Sequence, residues 1–381
     1  MSVEKSAAAA ESFIPVNEPL IGAREQSYVM DCMRTGWISS EGPYVAKFER
    51  AWATYCGVEH GVAMSSGTAA LFAAVDALRL EPGDEVIMPA FTIISCAQAI
   101  MAVGAAPVLV DADARTWCMD VSRVAERITP RTRAIMAVHI YGHPVDMEPL
   151  RALARRHNLK IIEDAAEAHG AEYRGARTGG LGDIGCFSFY ANKILTTGEG
   201  GMVVTNDGAL AGRARAYRNL AFRPDRRFYH TELGHNFRMT AVQAAIGLGQ
   251  VEDIDARVER KRAIGRRYTE LLSGLEGVTL PVEEPWATNV YWMYGVVLGE
   301  RAGRDAATFA AALRRRGIDT RPFFLGMHEQ PALLDRGLFA GERYPVAERI
   351  ARQGLYLPSG LTLTDDQIEI VARAVREEAA S

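Results

Sequence analysis

From residue 58 onward the chain alternates between two kinds of text. Short apolar runs (GVAMSS, DEVIMPA, APVLVD, TRAIMAVHIYG, LKIIEDAA) are separated by stretches with helical spacing (GTAALFAAVDALRL, TIISCAQAIMAVG, VSRVAERI, DMEPLRALARRHN). A brief apolar run bounded by Gly, Pro or Asp reads as a strand buried on both faces. Strands alternating with helices predict an α/β architecture: a mostly parallel sheet with helices on both sides. In open sheets of this kind ligands bind beyond the carboxyl ends of the strands. The residues just after each run therefore carry most of the functional information.

Beyond Gly182 the rhythm changes. DIGCFSFY and GGMVVTND read as strands flanking a loop that contains Lys193. Residues 240–273 keep helical spacing throughout, with the charge pattern of one long surface helix. A boundary is expected near residue 255, giving a large domain over 14–255 and a smaller C-terminal α/β domain over 256–381. In the second, VYWMYGVVLGE reads as a strand and DAATFAAALRRRG as a helix. YPVAERIARQGLYLP and TDDQIEIVARAVREEAA read as further helices. Residues 1–13, with their alanine run, read as a flexible arm. No repeat of 20–50 residues is visible, which excludes a solenoid or propeller.

The length of 381 residues supports two domains, since single cores stop growing near ~250–300 residues. With 43 basic and 47 acidic residues the net charge is −4, so the basic footprint of a nucleic-acid binder is absent. No run reaches the ~18 apolar residues of a membrane helix, and MSVEKSAAAAES is too short and polar for a secretory signal. Five cysteines in so long a chain, none in a CxxC pair, imply neither a disulfide framework nor a zinc site. No metal is expected, and a reducing cytoplasm is the simplest location. Lysine occurs only at positions 5, 47, 160, 193 and 261, so few residues can be considered for amine chemistry.

Three segments carry that chemistry. In SSGTAA (65–70) a strand ends, a turn follows and a helix begins. Free amides at a helix N-terminus bind phosphate; Gly67 permits close approach and Thr68 adds a hydroxyl. An ordinary N-cap would read the same way. In IIEDAAEAHG (161–170) Asp164 stands at a strand's carboxyl end, where a buried carboxylate requires a cationic partner. A protonated pyridine nitrogen would serve, and Ala166 is small enough to lie under a flat ring; a turn-capping Asp is the alternative. In GCFSFYANKILTTGEGGMVVT (185–205) Lys193 lies between an apolar strand and a Gly-rich turn. A desolvated lysine is a usable nucleophile, and Ser188, five residues earlier, is within reach of a phosphate. Together these are the groups that pyridoxal 5′-phosphate chemistry asks of a protein.

The segments WISSEGPYVAKFE, SSGTAAL, GDEVIMPAFT, AVHIYGHPVDM, IIEDAAEAHGA, GDIGCFSFYANKILTTGEGGMV and GHNFRMTAVQAAIGLGQ resemble the DegT/DnrJ/EryC1/StrS sugar aminotransferases. The resemblance runs from about residue 14 to the C-terminus. It implies a fold-type I enzyme, with a seven-stranded, mostly parallel sheet in the large domain and a smaller C-terminal α/β domain. It implies pyridoxal phosphate as cofactor, with the pyridoxamine form as intermediate, and nucleotide-linked keto sugars as substrates. It assigns Lys193 to the Schiff base and proton shuttle, Asp164 to the pyridine nitrogen and Ala166 to the ring. Gly67, Thr68 and Ser188 go to the phosphate. Asn236 of GHNFRM matches an asparagine that reaches the phosphate from the neighbouring subunit, which implies a homodimer with shared sites, possibly a tetramer. Glu167 occupies a position often glutamine in relatives, near the cofactor's phenolic oxygen. Where the family often stacks an aromatic residue on the cofactor, this chain has Ile93; either Ile93 packs on the ring with aliphatic surface or Phe91 substitutes.

A branch of the family with dehydratase activity carries histidine at the lysine position; here it is Lys193, which implies transamination. PVNEPLIG, TGWISSEGP and RPFFLGMHEQPAL resemble the GDP-perosamine synthases most closely. The implied reaction moves the amino group of L-glutamate to GDP-4-keto-6-deoxy-D-mannose. Arg223, with Arg226 and Arg227, is a candidate for the nucleotide diphosphate, and Trp37 and His328 for the sugar pocket. The alternatives are a 3-keto (mycosamine-type) or dTDP/UDP-keto-sugar aminotransferase and, of a different class, a non-catalytic cofactor-binding regulator.

Overall fold

Seven of the apolar runs assemble into one sheet: β1 (His60–Met64), β2 (Glu85–Pro89), β3 (Ala106–Val110), β4 (Thr132–Val138), β5 (Lys160–Asp164), β8 (Ile184–Ser188) and β9 (Gly201–Thr205). The order is β1-β9-β8-β5-β4-β2-β3, and only β9 runs antiparallel to its neighbours. The computed structural model describes residues 13–223, 225–299 and 304–380, so the expected N-terminal arm lies outside the described residues apart from Phe13. β6 (Glu172–Tyr173) and β7 (Ala176–Arg177) form a small sheet with β11 (Ala287–Thr288). β10 (Val278–Thr279), β12 (Tyr294–Leu298), β13 (Arg321–Pro322) and β14 (Gly354–Leu357) form an antiparallel sheet of order β10-β12-β14-β13.

The helices of the first half are α1 (Ala23–Thr35), α2 (Pro43–Cys56), α3 (Gly67–Ala77), α4 (Ser95–Ala102), α5 (Met147–His157) and α6 (Gly208–Arg218). Buried Val, Ile, Met and Ala from the large sheet and from α2, α3 and α4 form the larger apolar core. A second core joins the antiparallel sheet to α8 (Ile254–Leu272), α9 (Ala306–Arg315) and α12 (Asp365–Ala379), through Tyr268, Tyr294, Phe309 and Ile368. Ile14 packs in this second core and bridges Ile318, so the segment around Ile14 is pinned beside the C-terminal third. Among the described residues no helix is long and apolar enough to cross a membrane.

Three elements differ from expectation. Residues 240–273 are two helices, α7 (Ala241–Val251) and α8, with the break at Glu252–Asp253. α7 is apolar almost all round, as suits a buried helix, and lies against α1 and α2. A Cβ on Gly247 would meet the Phe48 ring at 2.6 Å, and one on Gly249 would meet Glu25 at 3.1 Å. The two halves thus seek different surroundings, and the chain turns between them. VSRVAERI forms a 3₁₀ helix (Val121–Arg127) rather than an α-helix, started by Asp120, whose carboxylate accepts from the Ser122 amide and hydroxyl. After the short α10 (Pro331–Leu334), helix α11 (Pro345–Gln353) stops where GLYL enters the second sheet as β14.

Candidate active site

The carboxyl end of β5, the N-terminus of α3 and the loop after β8 meet around a cavity of about 370 Å³. This size suits a small cofactor or ligand. Gly67, Thr68, Ile93, Asp164, Ala166, Glu167, Ser188 and Lys193, all singled out in the sequence, line it together. Sequence separation from 67 to 193 collapses here because parallel strands deliver their ends to one edge.

α3 starts with Ser66 as N-cap, its hydroxyl accepting from the Ala69 amide. The hydroxyls of Thr68 and Ser95 are 3.0 Å apart. A Cβ on residue 67 would stand 2.6 Å from the Ser188 Cβ, so only glycine lets the helix N-terminus close onto the end of β8. Asp164 is buried; its Oδ1 accepts from the Ala166 amide (3.1 Å) and its Oδ2 from the Cys96 thiol (3.2 Å). Among the described residues no lysine or arginine forms an ion pair with it within 4.0 Å. Burial and the carboxylate's negative charge together push the Cys96 thiol well above its ordinary range.

Lys193 Nζ lies 3.9 Å from Glu167 Oε1 and 3.5 Å from the ring centre of Trp292. Both charged side chains are nearly buried. Burial lowers the Lys193 ammonium from its usual range, against the opposing pull of Glu167 and Asp164. Burial likewise raises the Glu167 carboxyl, against the opposing pull of Lys193 and of the Tyr141 amide. That amide donates to Glu167 Oε2 at 2.8 Å. Tyr141 holds φ 51°, a region costly for a bulky residue. His169, fully buried with its Nε2 2.9 Å from the Ser188 carbonyl, is pushed down to about 3 by burial first and by the Lys193 charge second, which favours its neutral form.

Several candidates are not in this cavity. Phe91 turns inward, packing on Tyr141, Phe323 and Phe324, while Ile93 lines the cavity and is 42% exposed. His328 does not reach the site: it is buried in a 3₁₀ turn, its Nε2 lies 3.2 Å from Glu348, and its ring abuts Tyr344. Glu348, which holds His328, also binds Arg343. Trp37 is exposed beside Gly42, and Asn236 is exposed next to Asn219. Arg223 is exposed and paired with Asp225 at 2.9 Å; with Arg227 and Arg238 it lines a separate surface cavity. Arg226 lies over the Tyr229 ring in the same loop.

Sequence reading missed Trp292, Phe324 and Tyr356, which close the cavity from the side of the second sheet. They come from three distant segments with no shared motif. An aromatic residue next to a strand also reads as plain core.

The family model of the DegT/DnrJ/EryC1/StrS aminotransferases matches residues 19–376. A GDP-perosamine synthase of Caulobacter vibrioides is 44% identical over 95% of this chain and 97% of its own. The dTDP-3-amino-3,4,6-trideoxy-alpha-D-glucose transaminase of Streptomyces venezuelae is 42% identical over 88% of this chain and 87% of its own. Among solved structures, S. venezuelae DesV in complex with a ketimine intermediate superposes with a TM-score of 0.87 at 39% identity, covering 94% of this chain and 95% of that one. Whole-chain similarity in both sequence and fold converges on one conclusion: the chain belongs to the DegT/DnrJ/EryC1/StrS aminotransferase family.

Proposed function

We propose that this chain is a pyridoxal phosphate-dependent aminotransferase that moves the amino group of L-glutamate to GDP-4-keto-6-deoxy-D-mannose and so makes GDP-perosamine. The observation that carries the chemistry is one cavity joining an open helix N-terminus, a buried carboxylate that forms no ion pair among the described residues and a buried lysine. The sugar rests on the 44% identity to a GDP-perosamine synthase over almost all of both chains.

The residues fit the cofactor. Ala69 alone of the first-turn amides of α3 is taken by the cap, leaving those of Gly67 and Thr68 for a phosphate, with the Thr68 and Ser188 hydroxyls beside them. Asp164 has room for a cationic ring nitrogen and would hold a proton there, as a buried anion requires. Ala166 would leave space for a flat ring, and Ile93 adds aliphatic surface to the same cavity. When bound, the cofactor supplies an electron sink and a carbon that exchanges amines. Lys193 Nζ would hold the cofactor covalently and, once released, would carry the migrating proton. Burial lowers its ammonium from the usual range, which favours the free amine that a nucleophile and base needs. Glu167, held by the Tyr141 amide, faces that amine and steadies its charged form.

Asn236 lies away from the cavity of its own chain. We assign it, with the arginines of the 223–227 loop, to the site of a second subunit in a homodimer. Exposed Met30, Met33, Leu220, Phe228 and Leu233 offer apolar surface for such contact. The five buried free cysteines suit a reducing cytoplasm.

The test is a half-reaction followed by absorbance. The enzyme is converted to the pyridoxamine form with glutamate, freed of glutamate, and given GDP-4-keto-6-deoxy-D-mannose. Return of the aldehyde-form spectrum is expected. Persistence of the amine form would exclude this acceptor and favour a dTDP-linked 3-keto sugar, the second reading that the S. venezuelae relative supports.

A further inference from the structure

Trp292 lies with its ring against the Lys193 amine, and no motif marks it. Its ring centre is 3.5 Å from Nζ, nearer than the Glu167 oxygen at 3.9 Å. The ring is not free to move. Its indole N–H donates to the Asn192 carbonyl at 2.8 Å, on the residue before Lys193, and that carbonyl also accepts from the Asn17 side chain at 3.1 Å. Its opposite support is the strained turn at Tyr141 and Gly142. The Tyr141 ring lies nearly parallel to it at 6.3 Å. Gly142 has φ 104°, and a Cβ there would meet the Trp292 backbone nitrogen at 2.9 Å. So one turn fixes both neighbours of the amine: its Tyr141 amide holds Glu167, and its glycine admits Trp292.

A buried amine that alternates between a covalent bond and freedom needs somewhere to be while free and protonated. An aromatic face binds a cation by its quadrupole, and more strongly where water is excluded; Trp292 is 4% exposed. The other titratable groups that interact with the amine are Glu167, Asp164 and the neutral His169, and the phenols of Tyr141 and Tyr356 face Glu167. Among these only the two carboxylates bring opposite charge. Asp164 is the group assigned to the cofactor ring, which leaves Glu167 and the Trp292 face for the ammonium.

We infer that Trp292 is a positioning residue: its face seats the protonated Lys193 amine, opposite Glu167, in the half of the cycle when that amine is not bonded to the cofactor. This rests on the reading that Lys193 is the reacting amine. The seat keeps the proton on Nζ close to where it must be returned, and keeps the side chain from leaving the cavity.

The test is competitive labelling with trace acetic anhydride across pH, on the full-length enzyme in its pyridoxamine form. The Lys193 peptide is quantified by mass spectrometry to give the midpoint of amine ionisation. Trp292→Leu should lower that midpoint by about half to one and a half pH units, the range a desolvated cation–aromatic contact supplies. Trp292→Phe should lower it less. An unchanged midpoint in a folded Trp292→Leu protein, or equal falls in both variants, would overturn the inference. If Trp292→Leu does not fold, replacing the tryptophans with 5-fluorotryptophan weakens the ring face while preserving its shape. The midpoint should then fall in the same direction, and its constancy would overturn the inference too. Borohydride reduction of the aldehyde form separates the two claims. A reduced label on a lysine other than 193 sinks the underlying reading, whereas a label on Lys193 with an unmoved midpoint sinks only the role of Trp292.

Discussion

At the scale of single residues the site is built from opposed demands. Burial drives Lys193 toward neutrality and Glu167 toward protonation, and each limits the other's shift. Glu167→Gln keeps the acceptor for the Tyr141 amide but removes the charge. The Lys193 midpoint should then fall by about one unit, since an opposite charge at this range shifts a pKa by about 1–3 units. The same labelling assay reads it, and an unchanged value would show that the ion pair does not hold the proton. Gly67 is a steric requirement. A methyl group there would collide with Ser188 inside the expected phosphate seat. Gly67→Ala should weaken cofactor binding by about tenfold or more, ~1.4 kcal/mol, in a titration of the apoenzyme. Both positions were legible in the sequence because their neighbours formed ordered motifs. Trp292 was not, since nothing local distinguishes an aromatic residue that faces a cavity from one that fills a core.

At the scale of elements, the pieces that departed from expectation are those whose fate depends on contact. The 240–273 text carries continuous helical spacing, but α7 is sunk against α1 and α2 while α8 bears charge. α8 is not simply a surface helix either. Its Arg257 pairs with Glu25 of α1 at 2.7 Å, both buried. One turn on, Lys261 is 2% exposed and donates to the Ser359 carbonyl. Burial alone lowers Lys261 to about 7, against about 10.4 in an unfolded chain. The folded state therefore sheds this proton first. Between pH ~7 and ~10 the unfolded chain binds more protons, so this group makes stability rise with pH over that window. Lys261→Met should remove that rise and leave the variant at least as stable as the parent near pH 6, by urea unfolding. A parent that loses stability from pH 7 to 9 relative to Lys261→Met would contradict it.

At the scale of the whole molecule, the question is how many chains complete a site. Lys193 lines the cavity and Asn236 does not. If Asn236 serves the partner, Lys193→Ala and Asn236→Ala subunits complement each other. A mixed dimer holds one site with both residues and one with neither. Refolding equal amounts together should restore about a quarter of parental activity, because half the dimers are mixed and each has one good site. Recovery no greater than the sum of the separate variants would place Asn236 outside the partner's site. His328 shows the opposite hazard at this scale. It stands in a segment that resembles the family, yet the fold spends it on Glu348.

The sequence by itself determined the large sheet, the family, and the eight residues from Gly67 to Lys193 that share the cavity. It could do so because these depend on local period and on motifs at strand ends, where a parallel sheet must bring them together. Only tertiary structure decided which aromatic side chains close that cavity, which helix is buried and which exposed, and which histidine is already engaged. Those outcomes depend on contacts between separate segments, from 20 residues apart for His328 and Glu348 to far more for the buried helix, whose relative position no local pattern encodes.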